Sequence, residues 1–122
     1  MKTEFYGAKV EAEIIVNQML GLRASGQEQD WEFEFADASR IDAILGLSKS
    51  QNLGFDVKCA LGLLLISSIE DARKNSNLMD EQIVEANNFF CSEHEVGSRM
   101  RFYWIELEKS DDRDFLLNKI LC

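Results

Sequence analysis

The sequence predicts a helix-dominated α+β fold with a small antiparallel sheet, in a single globular domain spanning residues 1–122. Three observations point there. The chain has no proline, where an average composition would supply about six in this length at roughly 5%, so nothing interrupts long helices. Phe55 to Lys74 contains an apolar run from Cys59 to Ile66, long and uniform enough for a helix buried on several sides. Asp30 to Phe35 alternates instead: Trp31, Phe33 and Phe35 against Asp30, Glu32 and Glu34, the period of two of a half-buried strand. The alternative is an all-α fold, which would have to place that alternating run in a helix against its period.

The elements follow in order. Lys2 to Tyr6 is a candidate short strand. Ala8 to Leu22 reads as a helix whose Ala8, Ala12, Ile15, Met19 and Leu22 fall on one face, stopped by Ser25 and Gly26. After the acidic strand, Asp37 or Ser39 is placed to cap a helix carrying Ile41, Ile44, Leu45 and Leu47. Ser48 to Gly54 ends it. The helix Phe55 to Lys74 follows as the expected centre of the core, closed by a turn at Asn75, Ser76 and Asn77. A helix from Asp80 to Cys91 should face Ile83, Val84, Ala86 and Phe90 inward. Gly97 then introduces a second strand, Arg99 to Glu108, apolar on both faces and so flanked by protein on both. Ser110 caps a last helix with Asp111 and Asp112 in its first turn and Phe115, Leu116 and Ile120 as its packing stripe.

Charge bounds the function. The net charge is −9, from 22 acidic and 13 basic residues. Nucleic-acid binding takes most of its affinity from Lys and Arg on phosphates. Here Lys58, Arg73, Lys74, Arg99, Arg101 and Lys109 form no extended basic run. Neither nucleic acid nor an anionic membrane is an expected partner. The eight-residue run Cys59 to Ile66 falls short of the roughly 20 apolar residues of a membrane span. Met1 to Gly7 lacks the pattern of a signal peptide, which predicts a cytoplasmic protein. Cys59, Cys91 and Cys122 are far apart and odd in number, so no disulfide framework is expected, and Cys122 reads as a reactive thiol.

No pattern identifies a catalytic group, and the protein is not expected to be an enzyme or to need a cofactor or metal. His94 is the single histidine. Cys91 lies three residues before it, a spacing that could pair a nucleophile with its base or two metal ligands, but a metal site needs further ligands. The simpler reading packs Cys91 beside Phe90 and leaves His94 in solvent. Glycine-rich phosphate loops and the nucleophile-elbow motif are missing. Gly62, inside the apolar helix, reads as a close-packing position.

The small, acidic, helix-rich profile resembles, in general character, the immunity proteins that bacteria make against polymorphic and contact-dependent toxins. The acidic strand Asp30 to Phe35 and the helix pair from Ile41 to Lys74 carry the resemblance. It implies tight, stoichiometric binding that neutralises a toxin domain, often a basic nuclease. A carboxylate-lined surface suits a cationic site made for phosphates. The candidate partner-binding residues are Asp30, Glu32, Glu34 and Asp37, with Glu106 and Glu108, beside Asp111 and Asp112, as a second patch. On a strand the first three would form a row with neighbours roughly 7 Å apart. A small carboxylate-dependent enzyme and an acidic regulatory or adaptor subunit are the other readings.

Overall fold

The computed structural model describes residues 10–22, 31–49, 52–107 and 111–121. Among them there is no strand, and the fold is all-α. The helices are α1 (Val10–Leu20), the single turn α2 (Trp31–Glu34), α3 (Ile41–Ser48), α4 (Phe55–Lys74), α5 (Asp80–Ser92), α6 (His94–Arg101) and α7 (Asp111–Ile120). A 3₁₀ turn, Ala38–Arg40, leads into α3, and a π-helical segment, Phe102–Leu107, continues α6. The expected strand Lys2 to Tyr6, the stop at Ser25 and Gly26, and the cap at Ser110 lie outside the described residues.

α4 is the centre of the molecule. From Cys59 to Glu70 every residue is buried, and α1, α2, α3 and α6 all pack against it. Its ends match the sequence reading, with Asn75 receiving the chain after Lys74. α5 forms a second layer that touches α3, α6 and α7. Ala86, Phe89 and Phe90 face inward from α5, whereas Val84, expected inside, is 57% exposed.

Both predicted sheet strands are corrected. Trp31–Glu34 is a helical turn in which Trp31 and Glu32 both find partners elsewhere in the fold. The Trp31 indole is buried and donates to Asn17 Oδ1 on α1 at 2.8 Å. The next residue, Glu32, is buried as well, which a strand with alternating faces would forbid. Polar groups then bind the following backbone to α4. The Asp37 N–H donates to Ser68 Oγ at 3.1 Å and the Ala38 N–H to Asp71 Oδ2 at 3.1 Å. Arg40 donates to the Phe35 carbonyl at 2.5 Å.

Residues 99–107 are helical for a different reason. Val96, Met100 and Trp104 recur every four residues and are all buried, a helical stripe. Gly97 does not introduce a strand. It sits in α6, where a Cβ would lie 2.9 Å from the Phe90 carbonyl oxygen, so its bare backbone lets α6 close on α5. Gly62 serves the same packing from α4: the Phe90 ring and the Met100 thioether lie 3.2 and 3.3 Å from where its Cβ would stand.

Candidate functional site

The predicted acidic row is not a row. Residues two apart on a helix point about 200° apart, and α2 splits Glu32 from Glu34 accordingly. Glu32 is 6% exposed and accepts a hydrogen bond from the Tyr103 hydroxyl, whereas Glu34 is exposed. Asp30 lies outside the described residues. Asp37 caps the 3₁₀ turn: its Oδ1 accepts from the Ser39 N–H at 2.9 Å and from the Ser39 hydroxyl at 2.8 Å. These Ser39 bonds, helped by the Arg40 charge, hold its carboxyl below the usual aspartate range. In the second patch, Glu106 belongs to the π-helical segment, with its side chain outside the described set. Glu108 also lies outside the described residues. Of the six candidates, Glu32 and Asp37 are occupied by the fold, and Glu34 is exposed.

Tyr103 explains why a carboxylate enters the core. The π-helical segment turns Trp104 fully inward and leaves Phe102 38% exposed, with Tyr103 between them. Tyr103 and Trp104 meet edge to face, ring centroids 5.1 Å apart, a favourable aromatic geometry. The phenol then reaches Glu32 across the chain. This pair links α2 to the segment after α6 and leaves little of Glu32 for solvent.

Two other arrangements have chemical character. A hollow of about 390 Å³ opens between α3, α4 and α5, floored by Leu45 and Phe89. Ion pairs stand on its walls: Lys49 to Glu85 at 3.2 Å and Lys58 to Glu93 at 3.0 Å. Each ammonium is already matched to a carboxylate, so the hollow offers no unmatched charge for an ionic ligand. The second arrangement is the Cys91–His94 pair. Cys91 is disulfide-bonded, Cys59 is free and buried, and His94 opens α6 on the exposed surface. The expectation of no disulfide is corrected at Cys91, and a disulfide sulfur is not a nucleophile poised beside a base. Among the described residues, no cluster of His, Cys, Asp and Glu could hold a metal ion, and no helix is long and apolar enough to cross a membrane.

The surface itself carries the most information. Glu11, Glu34, Asp42, Asp80, Glu81 and Glu95 are exposed carboxylates. Among them stand large apolar side chains that are more than a third exposed: Ile14, Ile15, Phe55, Met79, Val84 and Phe102. Sequence reasoning placed Ile15 and Val84 inside because their spacing matched an inward stripe. α1 turns Ala12 to the core as expected, but with Val16 in place of Ile15. A stripe of Ala12, Val16 and Met19 was equally available in the sequence. Phe55, the first residue of α4, carried no signal beyond its position at a helix start. Comparison with known proteins finds no matching family model, no matching curated protein and no matching solved structure.

Proposed function

We propose that this protein acts by binding: it neutralises a basic protein partner, in the manner of an immunity protein held against a toxin domain, and catalyses no reaction. One observation carries the reading. Large apolar side chains stand open on the surface of a domain whose net charge is −9. Exposed apolar groups supply binding energy once water leaves them, and a negative field draws in a cationic partner and raises its rate of association. Cytoplasmic residence belongs to the same proposal. The Cys91 bond weighs against it, since disulfides persist in oxidising compartments. Thiol trapping before cell lysis tests this point: a reduced Cys91 in the cell supports the cytoplasm, and an oxidised one contradicts it.

The test of function is neutralisation. The product of the gene adjacent in the native host is expressed alone and then together with this protein. Growth arrest in the first case and rescue in the second, with a stoichiometric complex on purification, support the proposal. Arrest without rescue, or turnover of a substrate by the purified protein, overturns it.

A further inference from the structure

We infer that the partner docks on the face built around Phe55, and that it presents there a basic amphipathic segment. The inference rests on the binding reading and adds its place and chemistry. Phe55 is 39% exposed and lies between two hollows. The first, about 660 Å³, runs along α1 and the start of α4 and is lined by Ala12, Ile15 and Val57 with Glu11 and Asp56. The second, about 320 Å³, lies toward α6 and is lined by Ser98 and Phe102 with Glu95 and Arg99. Ile15, Phe55 and Phe102 thus form a discontinuous apolar band from three elements, each at 38–42% exposure.

The rim selects the partner. Among the described lining residues, Glu11, Asp56 and Glu95 edge the two hollows together with the cation Arg99. Arg99 lies over the Phe55 ring, its guanidinium carbon 5.2 Å from the ring centre, so it packs against the band. An apolar floor with a carboxylate rim matches a helix or strand that offers Leu-like side chains on one face and Lys or Arg beside them. A second copy of this chain would bring another −9 charge to an acidic rim. An anionic lipid surface is repelled for the same reason.

The probe is a fluorescently labelled synthetic peptide of Leu and Lys with the apolar residues at helical spacing. A peptide with Glu in place of Lys is the control. Anisotropy titrations should show binding of the Leu/Lys peptide that weakens as salt rises, and little binding of the Leu/Glu peptide. Phe55→Ser should lower the affinity about tenfold or more, the size of an anchor residue. Ile15→Ser, on a different helix, should lower it too. Val84→Ser, exposed but outside both hollows, should leave it unchanged. Melting curves establish that each variant folds, and Ile15→Ser keeps the test decisive if Phe55→Ser does not. Equal affinity for all folded variants, or equal binding of both peptides, overturns the inference. So does self-association, or binding to zwitterionic lipid vesicles, that Phe55→Ser abolishes. A partner neutralised equally well by the wild-type protein and by folded Phe55→Ser would overturn the docking face and leave the binding function standing. No neutralisation by either protein, with the peptide still sensitive to Phe55, would overturn the function and leave the face standing.

Discussion

α4 and the aromatic segments Trp31–Glu34 and Phe102–Leu107 are all apolar-rich, yet one was legible from the sequence and the others were not. α4 specifies itself many times over. Twelve consecutive residues, Cys59 to Glu70, are buried, and no strand needs a run of that length. The aromatic segments specify themselves through partners. Trp31 is held by Asn17, Glu32 by Tyr103, and the chain after them by Ser68 and Asp71. Local periodicity carries none of those distant contacts. A short alternating run suits a strand or a helical turn until tertiary contacts choose.

Four substitutions sharpen this contrast, taken from the largest expected effect. Leu64→Asp should unfold the protein. Leu64 is fully buried in α4, and an unpaired buried carboxylate costs about 3–5 kcal/mol, a large share of a typical ~5–15 kcal/mol stability. Loss of a cooperative thermal transition by circular dichroism is the expected result. A native-like melt would remove α4 from the centre of the account.

Tyr103→Phe tests the contact that draws Phe102–Leu107 and α2 together. It strips the buried Glu32 of its phenol donor, at a cost of about 1–3 kcal/mol. A denaturant midpoint equal to wild type would mean that Glu32 does not depend on Tyr103.

Gly97→Ala separates helix from strand in the same region. Alanine favours a helix over glycine by about 1 kcal/mol, but its Cβ would meet the Phe90 carbonyl oxygen at 2.9 Å. A backbone atom cannot swing aside, so overpacking, about 1–3 kcal/mol, should win by a smaller net amount. Lowered stability in urea unfolding is expected. A stabilised variant would mean that α6 does not close on α5 at this point.

Asp37→Ala should have the smallest effect, about 1 kcal/mol from a lost cap. Its size depends on pH. The folded pKa is depressed, chiefly by the Ser39 hydroxyl, so Asp37 stabilises fully above the unfolded value, about 3.9. That contribution fades as pH falls through the folded value. Wild type and variant should therefore differ at neutral pH and converge in acid. A constant difference at every pH would remove the carboxylate from the cap.

The fold was partly legible. Helices α1, α3, α4, α5 and α7 follow from apolar spacing, from a proline-free chain, and from Asp37 before α3. The helix over residues 94–101 was missed because Met100, Phe102 and Trp104 alternate as well as any strand. The Val96, Met100 and Trp104 spacing carried the correct signal in the same residues. The candidate surface was less legible still. Acidic residues are readable as a count, but their faces depend on the element that holds them. A strand would have aligned Glu32 with Glu34. A helical turn sends one to the core and the other to solvent. Phe55 gave no warning at all, since exposure at a helix start depends on the neighbours that fail to cover it.

On the proposed reading, an acidic helical domain works by binding a basic partner. Calorimetric titration of the purified protein with the partner it neutralises, at low and at high salt, is the deciding experiment. The expected result is a one-to-one complex whose affinity falls as salt rises, while part of the binding energy survives because apolar contact is not screened. An affinity unchanged by salt, or no heat of binding at either concentration, would contradict it.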